Sequence, residues 1–271
     1  MSKIVSFANQ KGGVGKTTSC LNLASYIAIM GKKVLLIDLD PQGNATTGLG
    51  FSKENNENNI YSLIAGEVPI TSCIAQTEIK NLFLIPSSID LAGIEVEMAY
   101  MSERERVLEK IFAEIKNSYD YIFIDCPPSL SLLTINALTA SDSIFIPIQC
   151  EFFALEGLSQ LMNTVRLVKK HLNKNLAIEG VVLTMKDARN NFGKQVADEV
   201  KKYFQETLYE TTIPRNIRLA EAPSHGKPIY QYDKSCLGAK AYENLAIEFL
   251  KRNKDSYKKI TKTKIQKRGN K

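Results

Sequence analysis

The sequence predicts an α/β fold, a mostly parallel, twisted sheet of about seven or eight strands flanked by helices on both faces. Three observations predict it. Short apolar runs rich in Val, Ile and Phe alternate with longer helical stretches, as in sheets buried on both sides, whose strands read as continuous apolar segments. The first of these runs leads into a glycine-rich loop that opens a helix. The chain has 271 residues, 44% hydrophobic and 24% charged, which suits one large domain with a buried core.

In chain order, strands are predicted at 3–8 (KIVSFA), 33–38 (KVLLID), 82–86 (LFLIP), 120–125 (DYIFID), 143–148 (SIFIPI), 178–184 (IEGVVLT) and 209–213 (YETTI). Helices fit 16–30, 89–117, 130–140, 154–172, 192–205 and 238–251, and the polar run SKENNENN at 52–59 reads as a loop. No apolar run reaches the roughly 18 residues that a spanning helix needs, and the N-terminus has no signal-peptide pattern, so a cytoplasmic protein is expected. The five cysteines are widely spaced and form no C-x-x-C pair, which argues against a disulfide framework or a zinc cluster. Ten of the 35 Lys and Arg but only one of the 29 acidic residues lie in 251–271, so that segment carries +9 and the remainder −3. The expected organisation is a domain over 1–250 and a basic, low-complexity tail over 251–271, a charge run suited to a polyanion.

The stretch FANQKGGVGKTTSC (7–20) nearly matches the phosphate-cradling pattern G-x-x-x-x-G-K-[ST]. Gly12, Gly13 and Gly15 let the backbone turn so that the N–H groups of Gly12, Gly13, Val14, Gly15, Lys16, Thr17 and Thr18 face an anion. The helix N-terminus adds about half a positive charge. Lys16 is the lysine that reaches the β- and γ-phosphates, and the Thr17 hydroxyl is a Mg²⁺ ligand. Gln10 stands where the pattern has its first glycine, and is tolerable if its φ stays negative. Lys11 is an additional cation that gains little beside a triphosphate already countered by Lys16 and Mg²⁺; turned outward, it serves phosphates held by a second molecule. The competing reading is a plain glycine turn between strand and helix.

K-G-G-V-G-K-T-T resembles the deviant Walker A loop of the ParA/MinD superfamily of P-loop NTPases. The resemblance implies that Lys11 crosses a nucleotide-sandwich dimer to reach the partner's ATP.

In VLLIDLDPQGNATTGLG, Asp38 and Asp40 share a strand face at the phosphate end of the sheet, and either is placed to orient or deprotonate a water. A capping aspartate in a strand-end turn is the bland alternative. This stretch resembles switch I of the chromosomal ParA/Soj group, which implies that Asp40 positions the water. In YDYIFIDCPPSL, a buried strand delivers Asp125 to its C-terminal end, where it suits a Mg²⁺ held through water. That segment resembles the family's Walker B and switch II. A GTPase base-reading N-K-x-D is absent where TMKDAR stands, so ATP is the expected nucleotide. Resemblance also puts Pro214 and Asn216 of IPRNIRLAEAPSHGKPI around the adenine. Glu151 either faces Lys11 across the dimer or is an exposed helix-start glutamate.

The resemblance spans about residues 1–250 and is closest to Soj-type ParA proteins. It implies an ATPase with ATP and Mg²⁺ as cofactors, an ATP-bound homodimer, nonspecific binding of double-stranded DNA through Arg189 and Arg218, and a ParB/Spo0J-type partner. It further implies slow unaided hydrolysis and a nucleoid-associated location. The runner-up is a MinD-like ATPase at the membrane surface. It is disfavoured because Tyr257, Ile260 and Ile265 are too sparse to build an apolar helix face.

Overall fold

The computed structural model describes residues 2–54, 56–151, 154–186, 191–258 and 260, with side chains at 154, 155 and 191–194 left undescribed. The elements run β1 (Lys3–Phe7), α1 (Lys16–Ile29), β2 (Val34–Asp38), α2 (Asn44–Gly48), α3 (Ile60–Ile64), α4 (Ile70–Cys73), β3 (Ala75–Gln76) and β4 (Leu82–Ile85). They continue with α5 (Ile94–Met98), α6 (Val107–Ala113), β5 (Tyr121–Asp125), α7 (Leu132–Ala140), β6 (Ser143–Gln149) and α8 (Ala154–His171). The last are β7 (Ala177–Thr184), α9 (Asn191–Phe204), α10 (Ile217–Glu221), α11 (Ile229–Tyr232) and α12 (Leu237–Arg252).

The strands form one seven-stranded sheet in the order β3-β4-β2-β5-β1-β6-β7. Every pairing is parallel except that of β3 with β4. Alternate side chains of each strand enter two separate cores. Ile4, Leu35, Ile37, Ile122, Ile124 and Ile144 pack under α6, α7 and α8. Val5, Phe7, Leu36, Phe123 and Phe145 pack under α1 and α12. Burial on both faces is why these strands read as unbroken apolar runs. In register, Asp125 of β5 lies between Phe7 of β1 and Asp38 of β2. The glycine loop and two strand-end carboxylates therefore meet at one end of the sheet.

Three expectations are corrected. Residues 209–213 are not a strand: Tyr209 N–H bonds Val181 O (2.8 Å) and Ile213 N–H bonds Leu183 O (2.8 Å), but between them Glu210 and Thr211 donate to the Glu248 carboxylate of α12. A side chain thus satisfies the amides that a ladder would use. The single helix expected over 89–117 is broken into α5 and α6, with Glu103 between them in the left-handed region at φ 52°. The short antiparallel edge β3 went unread because two residues carry no periodicity.

The chain does not leave the body at Lys251. Asn253 bonds Lys3 and Glu179, Asp255 accepts from Lys32 (2.9 Å) and the Tyr121 hydroxyl, and Lys258 N–H bonds Met30 O (3.0 Å). Tyr257 and Ile260 pack on the α1–α12 core. The cysteines are all free, and all but Cys236 are buried. Among the described residues, no helix is long and apolar enough to cross a membrane.

Candidate functional site

The loop between β1 and α1 is pinned from both sides. Asn9 donates from Nδ2 to Pro147 O (2.7 Å) and accepts the Lys11 N–H on Oδ1 (3.0 Å), tying the loop to β6. Thr184, at the end of β7, donates to Val14 O (2.8 Å). Gly13 and Gly15 have φ of 73° and 86°, a region that penalises any side chain, whereas Gln10 stays outside it as its replacement of glycine required. The side-chain oxygen of Gln10 is buried without a partner.

The two lysines point to different places. Lys16 is 6% exposed and donates to Lys11 O (3.1 Å) across the loop mouth. Burial lowers its pKa, and Asp125 and Asp40 oppose that shift. Lys11 reaches outward to an ion pair with the exposed Glu151 (3.2 Å). Of the two readings of Glu151, the geometry within one chain is contact with Lys11 of the same chain.

The two switch-like aspartates, Asp38 at the last position of β2 and Asp40 just beyond it, have different partners. Asp38 accepts from the Thr46 N–H and hydroxyl, both at 2.7 Å, and burial pushes its carboxyl up to about 6. Thr46 in turn accepts the Ser87 N–H (2.9 Å), and Ser87 donates to Asp40 O (2.7 Å). Asp40 spends one carboxylate oxygen on the Gln42 N–H (3.0 Å) and lines the hollow over the loop. Asp125 is fully buried, and neither of its oxygens makes a hydrogen bond of good geometry. Burial, then the neighbouring Asp38, drives its carboxyl well above the ordinary range, and Thr17 and Lys16 oppose the rise.

That orphaned carboxylate beside Thr17 fits a divalent cation, which would supply the missing partners. Among the described residues, no three His, Cys, Asp or Glu cluster into a metal cage. The fit is therefore to a cation that keeps waters and phosphate oxygens, as Mg²⁺ does.

Two hollows adjoin the loop. One, of about 440 Å³, is lined by Gly12, Gly13, Lys16, Thr17, Asp40 and Pro128 among others. The second, about 480 Å³, is lined by Thr184, Ile213, Pro214, Asn216 and Tyr242. Gly15, Thr18, Met185, Leu219 and Ala220 belong to the walls of both, so the hollow over the phosphate-sized loop and a mostly apolar recess lie side by side. Sequence reasoning found both hollows and missed the wall they share. Met185 sits there at φ 50°, a strained value for a side chain of its size. Thr184 was readable as a strand end; Met185 carried no signal. Asn216 caps α10, its carbonyl accepting the Arg218 N–H (2.9 Å). Arg218 is exposed and paired with Glu221 (2.9 Å) and, at 3.8 Å, with Asp233. Arg189 lies outside the described residues.

The chain matches the family model of an AAA domain over residues 2–178. It is 58% identical over 248 residues to the sporulation initiation inhibitor protein Soj of Bacillus subtilis (strain 168), covering 92% of this chain and 98% of that one. It is 51% identical over 253 residues to the chromosome-partitioning ATPase Soj of Treponema pallidum (strain Nichols), covering 93% and 99%. This chain belongs to the Soj/ParA family of chromosome-partitioning ATPases. Its fold also matches a structure titled cobyrinic acid a,c-diamide synthase from Mycobacterium smegmatis with bound ATP analogue and magnesium, at TM-score 0.84 and 31% identity over 94% of this chain and 96% of that one.

Proposed function

We propose that this ATPase is a dimerising switch in chromosome or plasmid partition: it binds ATP with Mg²⁺, pairs with a second copy, and in that state binds double-stranded DNA without sequence preference. A ParB/Spo0J-type partner then accelerates a slow hydrolysis, on the nucleoid in the cytoplasm. The observation that carries the reading is the divergence of the two lysines. Lys16 is buried at the loop mouth, while Lys11 is turned outward to the exposed Glu151, an ion pair of small net worth that a triphosphate on another molecule easily replaces.

In this reading, the N–H groups of Gly12 to Thr18 hold the phosphates and Lys16 neutralises them. Thr17 and Asp125 would hold Mg²⁺, which would supply positive charge against the phosphates. The other carboxylate oxygen of Asp40 orients the attacking water, while Asp38, accepting from Thr46 on one oxygen and from the Asp40 N–H on the other, fixes the strand end that carries it. Pro214 and Asn216 bound the recess for adenine. Arg218 and Arg189 contact DNA phosphates, and pairing doubles the contacts; each adds about 0.9 to the slope of log affinity against log salt.

Sedimentation velocity with a nonhydrolysable ATP analogue and Mg²⁺ tests the proposal. The wild-type chain should pair and be retained on immobilised duplex DNA, whereas Lys11→Ala should bind nucleotide, stay single and pass through. Pairing and retention of Lys11→Ala would remove its role. Asp40→Ala should keep nucleotide affinity and lose about 10²-fold or more in turnover; an unchanged rate would clear Asp40.

A further inference from the structure

The turn that carries Asp40 is fastened both to itself and to the sheet. Within it, the Gln42 N–H donates to the Asp40 carboxylate (3.0 Å) and the Gly43 N–H to Asp40 O (2.9 Å). Alone, these bonds fold residues 40–43 onto themselves and leave open where the turn sits. Two others place it: the Asp40 N–H donates to Asp38 at the end of β2 (3.3 Å), and the Ser87 hydroxyl, just beyond β4, donates to Asp40 O (2.7 Å).

Ser87 closes a ring. Its N–H donates to Thr46 Oγ1 (2.9 Å), Thr46 Oγ1 donates to Asp38 Oδ2 (2.7 Å), and Asp38 Oδ1 accepts from Asp40, whose carbonyl returns to the Ser87 hydroxyl. The ring therefore joins β2, α2 and the end of β4 to the residue whose carboxylate lines the hollow over the loop. Thr46 and Ser87 are both fully buried, so water does not stand in for a lost member. The next residue, Ser88, is also buried, but its hydroxyl has no partner. Two adjacent serines thus differ in one respect, their connection to Asp40.

We propose that Ser87 and Thr46 are positioning residues for hydrolysis, holding the Asp40 carboxylate in place over the loop; this rests on reading Asp40 as the group that orients the water. Neither residue lines the hollow, so neither is placed to touch the nucleotide. Their effect passes through the backbone: the Asp40 carbonyl and side chain share one Cα, so displacing the first swings the second. Rate is steep in such displacements, a misplacement of about 1 Å costing up to about 10²-fold. The bonds inside the turn survive the loss of Ser87 or Thr46, so the turn keeps its shape and loses its seat.

The test is ATP turnover of the full chain with Mg²⁺, read beside nucleotide affinity. Ser87→Ala and Thr46→Val should each lower kcat about tenfold or more with nucleotide affinity unchanged. Thr46→Ser, which keeps the hydroxyl, should recover most of the rate that Thr46→Val loses, and Ser88→Ala should match the wild type. Because both residues act through one ring, Ser87→Ala/Thr46→Val should lose no more than the worse single variant. In an Asp40→Ala background, Ser87→Ala should cost nothing further, a result that general loosening of the fold would not give. Wild-type kcat in Ser87→Ala, an equal loss in Ser88→Ala, or the same fold-loss with Asp40 already removed overturns the proposal. So does faster turnover, which would make the ring a restraint on Asp40. If Ser87→Ala does not fold, the contrast of Thr46→Val with Thr46→Ser decides the matter. A slow Asp40→Ala beside a normal Ser87→Ala removes the proposal alone, whereas unchanged turnover in Asp40→Ala removes the reading of the site and the proposal with it.

Discussion

Asp125 is fully buried with no hydrogen bond of good geometry, and Thr17 and Lys16 only partly offset its burial, a state that costs stability until a further cation arrives. Asp125→Asn should therefore melt at higher temperature than the wild type without nucleotide, by the equivalent of roughly 1–3 kcal/mol. It should also lose the share of ATP stabilisation that EDTA removes from the wild type. Calorimetry with and without EDTA reads both; a lower nucleotide-free Tm would mean that the carboxylate has a partner in solution. The loop from Gly12 to Thr18 was legible because its chemistry is contiguous in the chain. The choice between Asp38 and Asp40 was not, because alternation alone predicts one strand face for both; what separates them is Thr46, eight residues further on, satisfying Asp38. Met185 and Thr184 reach the cleft through the β6–β7 crossover, a placement that only topology supplies.

At the scale of elements, the segment beside β7 shows where the pattern failed and why. YETTI has a strand's composition, but its middle amides go to Glu248, and Arg252 of α12 holds the carbonyls of Thr207 and Leu208 while stacking 4.1 Å over Tyr209. The Tyr209 ring fits because residue 180 has no side chain: a Cβ there would fall 2.2 Å from the ring. Gly180→Ala should cost about 1–3 kcal/mol in denaturant titration; a neutral result would show that Tyr209 moves aside freely. The central parallel strands, by contrast, were found within about two residues of their ends, because burial on both faces leaves few polar positions, such as Ser6, to blur the run. The helix expected over 89–117 failed at a backbone reversal near Glu103, a residue type that does not announce one.

Across the whole molecule, the C-terminal segment joins distant parts of the sheet at the pole opposite the cleft. Although burial works against it, Asp255 is held below the usual carboxylate range by the Tyr121 hydroxyl and Lys32. A depressed carboxylate contributes stability that is complete above its unfolded pKa of about 4 and is lost as pH falls through the lower folded value. Protection of the amides at residues 253–258, taken relative to their intrinsic exchange rates, should therefore fall below about pH 4 in the wild type. Asp255→Asn should already exchange faster at neutral pH and change less on acidification; an identical profile would show that the contact carries no energy. The charge count divides the chain at Lys251, but the contacts divide it later. A stop codon after Arg252 would strip partners from Lys3, Lys32, Tyr121 and Met30, whereas one after Ile260 leaves each of these in place, so the last strap across the back of the sheet is fastened beyond the point where the charge count changes.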